Sequence, residues 1–237
     1  MEARLGARGG WRAAACVALL LVGAATVPAL ADATVTVDPG HSWLGFMNVF
    51  ELPQNGGAYV FGSPWGTADL VATFSGPVLS LSPNTIGDPS PFWYIGGGGP
   101  GATGNKIMDA NMYVETTGVY SGQTLTFTGT VLSSTLLSSQ DALGNGWTSV
   151  AFIKDFAPDF SSFTSVTAPL VNGVFNISLA LDPDPARHVQ FGFETIGPDV
   201  WITDVGPYGS IQVIPEPASL AILGIGVVLA LHRRRRA

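Results

Sequence analysis

Two pairs of closely spaced aspartates are the residues whose type and spacing best fit a chemical role. Asp155 and Asp159 flank an Ala-Pro pair, and Asp182 and Asp184 alternate with prolines. Loop carboxylates with nearby backbone carbonyls are the hard oxygen ligands that Ca²⁺ prefers, so the four aspartates are candidate calcium ligands. Neither pair has the spacing of an EF-hand, and turn capping with a contribution to solubility is the favoured interpretation of both.

Two tryptophans are candidates for contact with a sugar ligand. Beyond residue 31, tryptophan occupies positions 43, 65, 93, 147 and 201. Aromatic residues that alternate along strands usually belong to a core, and core packing is favoured for three of the five. Trp65 and Trp93 lie in segments rich in glycine and proline, where exposed rings would stack on sugar rings through apolar contact. For these two, ligand contact and core packing are equally well supported.

No motif in the sequence identifies a catalytic centre. Neither G-x-S-x-G nor H-E-x-x-H occurs. The glycine run at 96–101 satisfies G-x-G-x-x-G, but Pro100 is incompatible with the helix that a dinucleotide site needs. We therefore expect a protein that is not an enzyme and has no cofactor besides a candidate Ca²⁺. The alternative is a secreted hydrolase that acts on polysaccharide through a carboxylate pair that sequence alone does not locate.

Short alternating or apolar segments, separated by turn residues, are the elements that must position these side chains. Alternation is clearest at 124–128 and 175–179, as in strands with one buried face. We predict strands at 34–37, 43–50, 69–74, 78–81, 110–115, 124–132, 147–153, 174–181, 189–193 and 200–203. About ten short strands with turns between them predict an all-β fold, a single two-sheet β-sandwich at residues 32–213.

Composition and charge exclude several other classes of protein. Gly (30) and Pro (17) are frequent and charged residues make up only 11%, which excludes a coiled coil, while 46% hydrophobic residues exclude a disordered chain. The net charge of −7 hides an uneven distribution, because seven of the ten basic residues lie near the chain ends. Residues 32–214 carry three basic and fifteen acidic residues, a net charge of −12, so we expect no nucleic-acid partner.

The first 31 residues have the pattern of a secretory signal. Arginines at 4, 8 and 12 precede an apolar segment at 13–27, and small residues follow at Ala29 and Ala31. This is the arrangement that signal peptidase cleaves, so we predict a signal helix in residues 1–31 and a mature N-terminus at Asp32. The only cysteine, Cys16, lies inside this segment. The exported domain would therefore contain no disulfide.

The C-terminal 24 residues combine three features. Pro215, Glu216 and Pro217 are followed by an uncharged segment at 218–231. As a helix this segment would span about 21 Å, short of the roughly 30 Å hydrocarbon core, and we predict a short transmembrane helix. Four arginines follow and would stay cytoplasmic: Arg233, Arg234, Arg235 and Arg236. A plain membrane anchor is the alternative, but it gives no reason for the Pro-Glu-Pro segment.

This combination at residues 214–237 closely resembles the PEP-CTERM sorting domain of Gram-negative bacteria. The resemblance implies that an exosortase in the inner membrane recognises Pro215, Glu216 and Pro217, cleaves the tail and releases the protein toward the cell surface or the extracellular space. Contact with the inner membrane would then be transient. Proteins of this family accompany the production of exopolysaccharide and biofilm matrix.

A second resemblance covers part of the predicted sandwich. Segments 152–156, 188–193 and 200–205 are spaced like successive strands of a jelly roll. The ending Asp204-Val205 is similar to the closing strand of galactose-binding-like, carbohydrate-binding jelly rolls. This resemblance implies a jelly-roll-like sandwich that binds sugar.

The sequence therefore predicts an exported surface or extracellular-matrix protein that exosortase sorts, linked to exopolysaccharide and biofilm. Extracellular polysaccharide is its predicted ligand. A structural matrix protein or adhesin without a glycan ligand is a further alternative to the hydrolase.

Overall fold

The computed structural model describes residues 32–136 and 140–216, and within these ranges the regular structure is β-strand with short 3₁₀ turns. The strands are β1 (Ala33–Thr36), β2 (Leu44–Glu51), β3 (Tyr59–Pro64), β4 (Ala72–Ser75), β5 (Val78–Leu81), β6 (Thr85–Ile86), β7 (Lys106–Thr117), β8 (Thr124–Ser134), β9 (Thr148–Phe156), β10 (Phe163–Pro169), β11 (Gly173–Ala180), β12 (His188–Pro198), β13 (Val200–Trp201) and β14 (Ile211–Ile214). The all-β prediction is confirmed.

Two six-stranded sheets form the sandwich. The first sheet has the order β1-β8-β14-β5-β4, with β11 paired to the remaining edge of β8, and β1 is parallel to β8. The second sheet has the order β10-β9-β12-β7-β2-β3, and its neighbours are all antiparallel. β1 and β14 lie end to end along one edge of β8, because β11 pairs with the same β8 residues from the opposite side.

The strands form where side chains alternate between core and outer face. Along β7, Met108, Ala110, Met112 and Val114 are buried in the core, whereas the intervening positions point to the outer face of the second sheet. β12 follows the same period with Val189, Phe191 and Phe193 inward. This two-residue period is the pattern of strands that pack one face against a second sheet.

Aromatic rings from both sheets join at the centre of the core. Phe127 of the first sheet lies 5.4 Å, centroid to centroid, from both Phe191 and Phe193 of the second. Trp43 stacks on Phe193 at 6.1 Å. Rings at these separations add favourable contacts to the area that they bury. Since the described residues contain no cysteine, packing of this kind holds the two sheets together.

A third, small sheet fixes the loops at one end of the sandwich. β6 and β13 pair in parallel, and the buried Tyr94 lies beneath them, with its hydroxyl 2.5 Å from Ile86 O and 2.9 Å from Val200 O. The glycine run packs on the same tyrosine: a Cβ added to Gly98 would lie 2.7 Å from the Trp201 ring and 2.8 Å from the Tyr94 ring. These loops therefore have little freedom to shift relative to the sheets.

Most of the predicted strands are confirmed. The segment 78–81 matches β5 in full, and seven others match with ends shifted by a few residues: 34–37, 43–50, 110–115, 124–132, 147–153, 174–181 and 189–193. The start of 69–74 is wrong, because Leu70 and Ala72 donate to Gly66 O and Thr67 O and so form turns before β4. Strands β3, β6, β10 and β14 were not predicted.

The predicted strand at 200–203 is confirmed for Val200–Trp201, which form β13, but its end is wrong, as is the extension of this segment to Val205. β13 ends at Trp201, and Asp204 N donates to Trp201 O at 2.8 Å, which closes a turn. The closing strand of the sandwich is β14, which pairs with both β8 and β5.

Within the described residues no helix is long and apolar enough to cross a membrane. The predicted signal segment 1–31 and transmembrane helix 218–231 lie outside those residues.

Candidate functional site

An open groove at the end of the sandwich brings Trp65 and Trp93 together. The groove has a volume of about 680 Å³ and is lined by the segments at 64–69 and 85–88, by Trp93 and by Ile202. Sites for small ligands usually enclose roughly 300–1,000 Å³, so this groove is large enough for one or a few sugar rings. The two tryptophans that the sequence singles out thus line one surface.

Local contacts fix both tryptophan rings while each remains half-buried. The Trp65 indole donates to Ser63 Oγ at 2.9 Å, and its backbone N–H donates to Gly45 O at 3.0 Å. The Trp93 ring meets Phe92 edge-on at 4.6 Å and Phe61 at 6.2 Å. Rings that are held from the protein side need little further ordering when a ligand stacks on them.

Two exposed carboxylates and an exposed apolar side chain complete the groove. Asp69 accepts from Gly66 N at 3.3 Å through Oδ2, and Asp88 accepts from Ser90 N at 2.9 Å through Oδ1. Ile202, which is 55% exposed, lines the same groove. The aromatic and aliphatic side chains can contact the apolar face of a sugar ring, and the carboxylates can accept hydrogen bonds from its hydroxyl groups.

A polar network crosses the outer face of the second sheet, and sequence reasoning missed it. Asp109 accepts from Asn48 Nδ2 at 3.1 Å and from Asn111 Nδ2 at 2.7 Å. Lys154 Nζ donates to Asn111 Oδ1 at 3.0 Å and to Glu194 Oε2 at 2.8 Å. These residues come from β2, β7, β9 and β12. The spacing of Asp109 and Asn111 places them on one face of β7, and this was the signal available in the sequence. Lys154 lies 43 residues from Asn111 and 40 residues from Glu194 along the chain, so the sequence did not show that these side chains meet.

Two carboxylates of this network influence one another. Burial, and to a lesser degree the neighbouring charge of Glu194, raises the pKa of Asp109 to about 6, although the amides of Asn48 and Asn111 and the charge of Lys154 oppose the rise. Glu194 forms an ion pair with Lys154 at 2.8 Å. A carboxyl group whose pKa is raised toward neutrality, beside a second carboxyl group, is an arrangement that general acid–base chemistry uses.

Asp199 occupies a small cavity near the groove. Its side chain is 2% exposed, and its Oδ1 accepts from Lys106 N at 3.1 Å, whereas its Oδ2 has no hydrogen-bond partner among the described residues. The cavity has a volume of about 50 Å³ and is also lined by Asp141 and Tyr208. Burial raises the pKa of Asp199 to about 7, which hydrogen bonds from backbone N–H groups oppose.

The chain leaves β14 through Pro215 and Glu216, which pack against the first sheet. Glu216 Oε2 accepts from Thr128 Oγ1 at 2.9 Å, and Glu216 N donates to Thr36 Oγ1 at 3.2 Å. Both residues of the segment are half-buried. Pro217 and the four arginines lie outside the described residues.

Comparison with known families decides what this C-terminal segment is. Residues 213–236 match the family described as the PEP-CTERM protein-sorting motif. The chain carries a PEP-CTERM motif. The match begins at Val213, within β14, and includes the Pro-Glu-Pro segment and the arginines. No curated protein and no solved structure matches the chain.

The PEP-CTERM motif implies a route of export and sorting for the protein. Proteins with this motif are exported in Gram-negative bacteria and are processed by exosortase, which sorts them to the cell envelope or surface. The predicted signal-peptide residues Ala29 and Ala31 lie outside the described residues, and Asp32 is the first described residue. The resemblance to carbohydrate-binding jelly rolls, which no family or structure match supports, stays a prediction.

The four aspartates considered as calcium ligands bond to nearby protein groups. Asp155 is buried, forms an ion pair with Arg187 at 2.8 Å and accepts from Asp182 N at 3.0 Å. Asp159 accepts from Ser161, while Asp182 and Asp184 accept from backbone N–H groups two residues on. The described residues contain no cluster of three or more candidate metal-ligating side chains. Asp159, Asp182 and Asp184 therefore cap turns, whereas Asp155 lies within β9 and belongs to a buried ion pair.

Proposed function

We propose that this PEP-CTERM protein is a non-enzymatic surface or extracellular-matrix protein that contacts polysaccharide through the groove of Trp65 and Trp93. The observation that carries the proposal is the convergence of both rings, with Asp69 and Asp88, on one open surface. A role in the exopolysaccharide or biofilm matrix fits the route of export that the sorting motif gives.

The acidic charge of the domain indicates which polysaccharide the groove would accept. Residues 32–214 carry a net charge of −12, and two of the groove's own side chains are carboxylates. An anionic polymer would be repelled at low salt, whereas a neutral polymer meets no such barrier. We therefore expect ring stacking on neutral polysaccharide, with anionic polymers binding only where divalent cations bridge the carboxylates.

Affinity electrophoresis of the secreted protein in gels that contain neutral or anionic polysaccharides tests the proposal. We expect retardation by at least one neutral polymer and its loss in Trp65→Ala and Trp93→Ala. Phe163→Ala is the matched control, since Phe163 is an aromatic residue, 53% exposed, that does not line the groove. Absence of retardation by every polymer would refute the proposal and favour a structural protein without a glycan ligand. Equal loss in the Phe163 variant would also refute it.

The polar network on the second sheet supports a hydrolase as the second candidate function. Asp109, whose pKa is raised to about 6, would donate a proton, and Glu194, which lies 2.8 Å from Lys154 Nζ, would act as the base or nucleophile. Release of reducing sugar from polysaccharide, lost in Glu194→Gln, would establish this function. Glu115→Gln is the control, because Glu115 lies on the same face of β7 and bonds to Gln190 instead. Binding without release would favour the non-enzymatic proposal.

A further inference from the structure

The sheet topology places the sorting motif against the folded domain. β1 and β14 share one edge of β8, with Thr36 opposite Thr128 and Ile214 opposite Thr130. If β14 continued in register, the residue two positions beyond Ile214 would meet Thr128, where β1 is already paired. β14 ends at Ile214, and Glu216 lies at the junction between the two strands, where it bonds to Thr128 and Thr36.

The backbone N–H and the side-chain carboxylate of Glu216 both form hydrogen bonds to this junction. Its backbone N–H donates to Thr36 Oγ1 at 3.2 Å, and its carboxylate accepts from Thr128 Oγ1 at 2.9 Å. Thr128 is only 4% exposed, so the carboxylate reaches a largely water-excluded hydroxyl. A hydrogen bond to an ionised acceptor is stronger than one between neutral groups.

The two threonines can release Glu216 without losing their other bonds. Thr36 Oγ1 also donates to Thr128 O at 3.1 Å, and Thr128 Oγ1 lies 2.9 Å from Phe175 O. Because a hydroxyl carries one proton, Thr128 donates either to Glu216 or to Phe175 at any moment. When Glu216 leaves, no buried group of the domain is left unpaired, and the contact is therefore reversible.

We propose that the folded sandwich competes with exosortase for Glu216, and that Thr36 and Thr128 are positioning residues that set the rate of sorting. A motif whose glutamate is bonded to the domain through both its N–H and its carboxylate cannot offer those groups to an enzyme at the same time. Processing then proceeds from the fraction of molecules in which Glu216 is free, so the apparent affinity of exosortase falls in proportion to that fraction.

Pulse-chase processing of the full-length precursor, in a Gram-negative host that contains its exosortase, tests this competition. Thr128→Val keeps the shape of the side chain and removes the hydroxyl, and we expect it to shorten the half-time of processing by about threefold to tenfold. Thr128→Ser should restore the wild-type rate. Thr126→Val is the matched control, because Thr126 lies on the same face of β8 and bonds to Ser178.

Processing of the Thr128→Val precursor at the wild-type rate or more slowly, with Thr126→Val unchanged, would overturn the proposal. Slower processing would mean that the bonds at the junction help exosortase to bind the motif. Hydrogen exchange at the Glu216 amide of the wild-type precursor gives a test that does not depend on any variant folding. We expect protection of this amide, which Thr36→Val should abolish while the β14 amides keep theirs. A Glu216 amide that exchanges at the rate of an unstructured peptide would refute the contact itself.

Discussion

Replacing Asp199 with Asn should stabilise the protein at alkaline pH and lose that effect in acid. The Asp199 carboxyl is buried, its Oδ2 has no partner among the described residues, and burial raises its pKa to about 7 from 3.8. Because the folded state holds the proton more tightly than the unfolded state, the carboxyl favours folding most below pH 3.8. That contribution is lost as the pH rises through 7.

The size of the effect follows from this interval. At 1.36 kcal/mol per pH unit, the rise from 3.8 to about 7 corresponds to about 4 kcal/mol lost between acid and alkaline pH. Asparagine does not ionise, but its amide adds a donor that costs about 1–3 kcal/mol if it stays unpaired. The adjoining 50 Å³ cavity has room for a water molecule that can accept a hydrogen bond from this amide. We therefore expect a gain of about 1–3 kcal/mol at pH 8.5 and none at pH 5.

Urea unfolding of the secreted protein at pH 5, 7 and 8.5 measures this difference. The stability of Asp199→Asn relative to wild type should rise with pH across the series. Asp159→Asn is the control, because Asp159 is exposed and hydrogen bonds from Ser161 lower its pKa, so its contribution should be constant over this range. A difference for Asp199→Asn that is the same at all three pH values would refute the reasoning, since Asp199 would then not titrate with folding.

Three further predictions concern ion pairs and processing. Arg187→Ala leaves the buried Asp155 carboxylate without its ion-pair partner and should lower the free energy of unfolding by about 3 kcal/mol in urea titrations. Glu194→Gln removes a charge that raises the pKa of Asp109, so NMR titration should find that pKa below about 6; an unchanged value would contradict the coupling. Mass spectrometry of the secreted protein should place its C-terminus at or beyond Ile214, where β14 ends.

Sequence patterns predicted the strands whose alternation is governed by local burial. β8 and β11 alternate cleanly, because one face of each packs on the core. β3 and β10 were missed for the opposite reason: both are edge strands that are mostly exposed or half-buried, with no buried apolar face to create a pattern. β6 was too short to show one, since two residues do not make an alternation.

Some residues of the candidate sites could likewise be predicted from the sequence, and others could not. Trp65 and Trp93 could be singled out because glycine and proline surround them, and such segments form loops where an aromatic ring stays accessible. Asp109, Lys154 and Glu194 could not be paired from sequence, because their meeting depends on the register of β7, β12 and β9. Register follows from the assembled sheet and not from any one segment.

The position of the sorting motif limits what processing can remove. β14 is the strand that joins β8 to β5 in the first sheet, and Ile211 and Val213 are fully buried in the core. A cut before Ile211 would remove both side chains, which are of the kind whose loss typically costs several kcal/mol, and would leave β5 paired with β4 alone. The motif match begins at Val213, so the sorting motif and the sandwich share the last two residues of this strand. Exosortase must therefore act on a segment whose first residues the sandwich needs, and the bonds of Glu216 to Thr36 and Thr128 lie at that boundary.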